Sequence, residues 1–259
     1  MGDWHERRSH YKRKRFQEPS PENPVLPCST MRFASELIRG TFVTRLNRFA
    51  VLVEVAGGLH TVHVANSGRL RELFQPGREV YVAGNSSTTR KTAHDLALVR
   101  LETGPVSVDA RLPPVLVREA FQEGRLPGFE NYTDCRQEIP FGESRLDLAL
   151  SGDFPPCVIE VKSVTLVQEG RSLFPDAPTL RGVKHLRSLM HAKEQGLRAV
   201  VIFVIQRNDA MPFSPHDAAD PMFGAALRAA KEAGVEVAAF GCRVTLEGIC
   251  LVASVQMVL

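Results

Sequence analysis

No stretch of the chain approaches the roughly 20 consecutive apolar residues that a bilayer span requires, which argues against a membrane-embedded protein. Met1 to Arg15 carries positive charge but no apolar run behind it, so no secretory leader is read there and a cytoplasmic location is expected. Cysteine is sparse and scattered. Cys28, Cys135, Cys157, Cys242 and Cys250 are odd in number, with no CxxC pair and no Cys/His group at zinc spacing, so they are expected to be reduced, mostly buried thiols. An excess of one charge is missing as well. The net charge of +3 is carried by Met1 to Arg15, where six Arg/Lys face two acids, and the remainder is slightly negative. Any nucleic-acid surface on the folded part must therefore come from local clustering rather than bulk charge.

What is present is a chain of 259 residues, 44% hydrophobic and 24% charged, the balance of a soluble globular protein with room for two cores. Residues 1–30 alternate between a basic run (Arg7, Arg8, Lys12 to Arg15) and prolines (Pro19, Pro21, Pro24, Pro27). This predicts a disordered tail, either a phosphate-binding arm or a merely solvated one. From Leu37 to Leu101 short runs rich in Val, Phe, Thr and Leu predict strands over Leu37 to Phe49, Ala50 to Ala56, Leu59 to Ala65, Glu79 to Ala83 and His94 to Leu101. Gly57-Gly58 reads as a hairpin turn, and Gly68 to Phe74 as a brief helix. Five short strands in about 70 residues suit a closed barrel of the OB type over 31–103, with an SH3-like barrel as the alternative.

Beyond Gly104 the period changes. A helix over Leu112 to Gln122, opened by Pro113-Pro114, precedes strands at Gln137 to Phe141, Arg145 to Leu150 and Val158 to Val167. A helix over Thr179 to Gln195, the apolar run Ala199 to Ile205 and a helix over Pro221 to Ala233 complete an α/β domain over 104–259, with a mixed sheet flanked by helices.

The chemistry concentrates in Val158-Ile-Glu-Val-Lys-Ser163. Glu160 and Lys162 are two apart on one strand and project from one face. Asp147 lies on the preceding hairpin strand, where a cross-strand partner comes within about 4.5 to 5.5 Å at the β carbon. Two carboxylates converging with one ammonium, with coordination positions left open, suit Mg²⁺ or Mn²⁺ and phosphodiester hydrolysis, with Lys162 orienting a water or balancing charge. An isolated ExK is weak evidence. The Asp one hairpin earlier, the acid-bearing helix (Glu119, Glu123) and the helix carrying Arg181, Lys184 and His185 strengthen it.

At these residues the chain resembles the sugar fermentation stimulation protein A family. The resemblance rests on Ser144-Arg-Leu-Asp147, Ile159-Glu-Val-Lys-Ser-Val-Thr-Leu166, Phe174-Pro-Asp-Ala-Pro-Thr-Leu-Arg-Gly-Val-Lys-His-Leu186 and Phe213-Ser-Pro215. It continues through Arg45-Leu-Asn-Arg-Phe49, Asn66-Ser-Gly-Arg-Leu70, Pro76-Gly77 and Thr89-Arg-Lys91, so it covers nearly everything after about residue 34. Ser67 departs from the family's frequent threonine but keeps a hydroxyl. The resemblance implies an N-terminal OB-like domain and a PD-(D/E)XK nuclease fold, with DNA binding and DNA/RNA nuclease activity. By the motif Asp147, Glu160 and Lys162 take the nuclease core positions, and Glu119 or Glu138 supplies a further acid.

Arg45, Arg48, Asn66, Arg69, Arg90 and Lys91 sit in or beside barrel turns, where they are candidate phosphate donors, with Phe42 and Phe49 as stacking surfaces or plain core. Arg145, Arg181 and Lys184 are further candidates for nucleic-acid contact. His185 reads as a phosphate ligand or a surface histidine, and Asp176 as a helix-entry cap or a site residue. Two functions are open: a Mg²⁺- or Mn²⁺-dependent nuclease on DNA or RNA, and a non-catalytic DNA-binding regulator that keeps the nuclease fold.

Overall fold

The computed structural model describes residues 30–33, 35–85, 92–209 and 212–259. The basic and proline-rich tail, Cys28, Arg90 and Lys91 lie outside the described residues. Strand β1 (Met31–Arg32) pairs with the far end of the chain and not with the barrel that follows. The barrel comprises β2 (Leu37–Asn47), β3 (Ala50–Val55), β4 (Gly58–His63), β5 (Glu79–Gly84), β6 (His94–Leu101) and β7 (Gly104–Ser107), in the order β4-β3-β2-β5-β6-β7. A parallel contact between His63 and Asp95 joins β4 to β6 and closes five strands into the expected OB barrel. Period-two alternation explains the interior: Val51, Val53 and Val55, then Val80 and Val82, point inward and are buried with Phe42. Because β7 pairs with β6, the barrel sheet continues past residue 103. The helix expected over Gly68 to Phe74 is a single turn, closed by the Phe74 amide donating to the Leu70 carbonyl at 2.9 Å. Its apolar residues Leu70, Leu73 and Phe74 enter the barrel core instead of forming a helix face.

The β3–β4 turn is set one residue earlier than the glycine pair suggested. Val55 pairs with Gly58, so Ala56 (φ 51) and Gly57 (φ 79) occupy the two central positions of the turn. Both need the left-handed region, which an alanine enters at a cost of roughly 1 kcal/mol. Ala56→Gly is accordingly expected to raise unfolding free energy by about 0.5–1 kcal/mol. Urea denaturation checks this, and a destabilised variant contradicts the turn assignment.

The second domain contains α1 (Leu112–Gln122), β8 (Tyr132–Phe141), β9 (Ser144–Gly152), β10 (Cys157–Val164), β11 (Leu166–Gln168), β12 (Arg171–Phe174), α2 (Leu180–Glu194), β13 (Arg198–Ile205), β14 (Phe213–Pro215), α3 (Pro221–Glu232), β15 (Glu236–Val244) and β16 (Gly248–Ser254). Its mixed sheet runs β1-β16-β15-β13-β10-β9-β8, with β10, β13 and β15 parallel. The apolar run of β13 is divided between two cores. Val200, Ile202 and Val204 pack with α1, whereas Val201, Phe203 and Ile205 pack with α2 and α3. A small sheet β11-β12-β14 was not anticipated, and the strand expected over Val158 to Val167 divides between β10 and β11. Cys135, Cys157 and Cys242 are free, but Cys250 is disulfide-bonded, contrary to the expectation of reduced thiols throughout. No helix among the described residues is long and apolar enough to cross a membrane.

Candidate active site

The β9–β10 ladder pairs Val158 with Ala149 and Ile159 with Leu148. Continued by one step it would set Glu160 opposite Asp147, but there the strands part. Asp147 Oδ2 accepts the Val161 backbone amide at 2.7 Å, so the side chain takes over a ladder bond and is held beside β10. Alternation along β10 turns Ile159 and Val161 toward α1 and Glu160 and Lys162 toward α2.

Helix α2 is seated firmly at that face. Thr179 caps it by accepting the Gly182 amide at 3.0 Å, and Asp220 accepts both the Thr179 amide (2.7 Å) and the Phe223 amide (3.0 Å), tying together the starts of α2 and α3. A β carbon at Gly182 would lie 3.1 Å from the Phe223 ring, so glycine there permits the close helix packing. One turn further on, His185 is buried against Glu160.

Glu160 is 3% exposed. Its Oε1 accepts from Lys162 Nζ at 2.5 Å and from His185 Nδ1, while its Oε2 is buried without a hydrogen-bond partner among the described residues. Burial pushes the Glu160 carboxyl up, but the charge of Lys162 and the bond from His185 outweigh it and hold the group below its ordinary range. Asp147 goes the other way. Burial first, then the Glu160 charge, push it up to about 6, against the pull of the Val161 amide, Lys162 and Arg181. Two carboxylates thus share one space with opposite protonation tendencies, and one buried oxygen is unsatisfied. Arg181, exposed at the start of α2, donates from Nε to His185 Nε2 at 3.3 Å.

The remaining sequence candidates divide. Glu119 is on α1, across the sheet from α2, and Glu138 is 74% exposed by side chain and ion-paired with Arg145 at 3.3 Å. Among the described residues no three His, Cys, Asp or Glu side chains form a ready-made metal cluster, so neither acid joins Asp147 and Glu160. Lys184 is exposed and paired with Glu143 at 3.2 Å. His185 is buried rather than on the surface, and its two ring nitrogens are taken by Glu160 and Arg181; the sequence shows its helical neighbours but not the glutamate beneath it.

Arg45 and Asn66 also turn out differently from their reading as phosphate donors. Arg45 donates to the backbone carbonyls of Asn47 (3.1 Å), Arg48 (2.7 Å), Gly68 (2.9 Å) and Arg69, and lies over the Phe74 ring. Asn66 donates to the Val108 carbonyl at 3.0 Å and accepts the Gly68 amide at 2.8 Å. Both are turn organisers. Arg45→Ala is therefore expected to cost about 1.5–3 kcal/mol of stability while leaving the salt slope of nucleic-acid binding unchanged. Chemical denaturation and binding across a salt series check this, and intact stability with a shallower slope would restore a phosphate role. Phe42 is core, whereas Phe49 is 47% exposed with the Arg48 guanidinium over its ring at 5.4 Å. Arg69 is exposed.

The contacts that join the domains were not apparent from the sequence. Asp176, at the entry to α2, accepts the Leu70 amide of the barrel at 3.0 Å, so its role is a tie between domains. Gln206, fully buried just after β13, bonds Ser107 of the barrel at 3.1 Å and Ser163, next to Lys162, at 2.8 Å. A polar residue ending an apolar run was the available signal.

Fold and site together define a closed OB barrel joined to an α/β domain whose parallel strand β10 carries an acid and an amine beside a second acid on β9. The comparisons give this class its family. The description "SfsA N-terminal OB domain" matches residues 43–108 and "Sugar fermentation stimulation protein RE domain" matches 111–248. The chain belongs to the sugar fermentation stimulation protein family. It is 46% identical over 216 residues to the homolog of Desulforamulus reducens, covering 83% of this chain and 90% of that one. It is 45% identical over 225 residues to that of Moorella thermoacetica, covering 86% and 97%. Among solved structures, Pyrococcus furiosus SfsA in complex with Ca²⁺ superposes with a TM-score of 0.82 at 28% identity, covering 89% of this chain and 99% of that one.

Proposed function

We propose that this protein binds DNA and/or RNA and hydrolyses phosphodiester bonds with Mg²⁺ or Mn²⁺ held by Asp147 and Glu160. The observation that carries the reading is the buried, unpartnered Glu160 Oε2 beside a second carboxylate. A buried carboxylate oxygen without a donor is costly, and a hard cation that keeps several waters and needs only one or two carboxylates fits the pair. Ca²⁺ in the solved relative is the same kind of cation. Such an ion, when bound, polarises a phosphate oxygen and makes its water a nucleophile near neutral pH. Lys162, 11% exposed by side chain, holds Glu160 ionised and presents an ammonium where negative charge develops. Arg48, Phe49, Arg69, Arg145, Arg181 and Lys184 are the exposed groups available to the nucleic-acid chain, Phe49 for base stacking and the cations for phosphates.

The test is cleavage of single- and double-stranded DNA and RNA under a divalent-ion titration, with Glu160→Ala and Lys162→Ala as controls. Equal cleavage by both variants removes this site from the mechanism. Salt-dependent binding without cleavage under any divalent ion makes the protein a nucleic-acid-binding regulator on a nuclease scaffold.

A further inference from the structure

We infer that His185 is a positioning residue that selects which oxygen of Glu160 is offered to the cation. The inference rests on the metal-site reading above and adds a role for a buried imidazole that touches neither solvent nor substrate. His185 is 5% exposed, and its two ring nitrogens have different partners. An arginine Nε–H can only donate, so the bond from Arg181 at 3.3 Å makes His185 Nε2 an acceptor and leaves the proton on Nδ1. That Nδ1–H donates to Glu160 Oε1, the same oxygen that receives Lys162 Nζ. Lys162 and His185 lie 3.4 Å apart, two donors converging from β10 and α2 on one acceptor. With Oε1 occupied twice, the remaining coordination capacity of the carboxylate is on Oε2, which has no partner among the described residues.

Lysine alone could not fix this arrangement. Its ammonium rotates freely on a flexible stem and would follow whichever oxygen came nearest. The imidazole is rigid, is carried by a helix seated through Thr179, Gly182 and Asp220, and is locked in one tautomer by Arg181. It therefore sets the rotation of the carboxylate about its last torsion. Outer partners of metal-binding carboxylates act this way in general, and losing one typically weakens metal binding or activity by about 10–100-fold.

The variants discriminate this from a space-filling role. An asparagine amide nitrogen overlies the imidazole Nδ1, whereas a glutamine amide reaches toward Nε2, and phenylalanine keeps the volume without any donor. Mn²⁺ binding to the full chain, read by electron paramagnetic resonance without nucleic acid, is expected to stay close to wild type in His185→Asn. It is expected to weaken by about 10–100-fold in His185→Gln and His185→Phe. Circular dichroism and melting establish that each variant folds, and if His185→Phe does not, the Asn–Gln contrast still decides. Wild-type affinity in both His185→Gln and His185→Phe overturns the inference while leaving the metal site standing. So does the reverse order, with His185→Phe intact and His185→Asn weakened, which marks a volume requirement. Absence of Mn²⁺ binding by the wild type overturns the metal-site reading itself, and the inference with it.

Discussion

Lys162→Met is expected to slow single-turnover cleavage by about 10²–10³-fold, while Mn²⁺ still binds. The ammonium is 2.5 Å from Glu160 Oε1 and does not approach the free Oε2, so its removal takes a positive charge away from the reaction without removing a ligand oxygen. The same substitution affects stability in the metal-free protein. Glu160 is left 4% exposed by side chain, without the cation that held it ionised and with His185 as its remaining donor. Removing one member of a buried ion pair typically costs on the order of 3–5 kcal/mol, so a large fall in melting temperature is expected without metal and a smaller one with saturating Mn²⁺. Glu160→Gln removes the carboxylate that holds the cation and leaves the Lys162 ammonium, 11% exposed by side chain, as the unpaired charge. It should cleave no better than background, and its melting temperature should not respond to Mn²⁺. Cleavage by Lys162→Met at the wild-type rate, or a Glu160→Gln protein still stabilised by Mn²⁺, sinks this account of the site.

Much of this arrangement was legible in the sequence because it depends on local periodicity. Helix α1 has the bounds expected after its proline start, and α2 lies between Thr179 as cap and Gln195. The ExK spacing set Glu160 and Lys162 on one strand face, and the hairpin brought Asp147 alongside. What the residue pattern did not reveal is where donors go after folding. Arg45 and Arg48 look alike in sequence, yet Arg45 closes on the carbonyls of Asn47, Arg48, Gly68 and Arg69, whereas Arg48 gives one bond to the Ser67 carbonyl at 3.3 Å and lies over an exposed ring. The contact of Asp176 with Leu70 spans 106 residues and the pairing of Met31 with Ile249 most of the chain, and no local signal encodes either. The small sheet β11-β12-β14 escaped for a similar reason: its strands are three or four residues long, and β14 joins from far along the chain.

Asp147 should make both stability and metal affinity depend on pH. Its folded pKa of about 6 is above that of an unfolded aspartate, near 4. Between those values the native state binds more protons than the unfolded state, so stability falls as pH rises through this window. A shift of about two units corresponds to on the order of 2–3 kcal/mol, fully present below pH 4 and lost above 6. Glu160 has the opposite sign, since its folded pKa is depressed: its contribution is present above the ordinary glutamate range and is lost only in more acidic solution. The difference between wild type and Asp147→Asn, followed by urea denaturation from pH 4.5 to 7.5 in chelator, therefore isolates the aspartate. Wild type should be progressively less stable relative to the variant as pH rises to about 6, and level thereafter. A divalent ion has to displace the same proton, so Mn²⁺ affinity should fall by about tenfold per pH unit below about 6 and be nearly flat above it. The stabilisation conferred by Mn²⁺ should accordingly be larger at pH 7.5 than at pH 5, as mass action requires of a ligand that binds only the native state. A wild-type curve parallel to that of Asp147→Asn across the window would mean that Asp147 is solvated rather than confined beside Glu160. Two carboxylates without mutual strain would then have no physical reason to gather a cation.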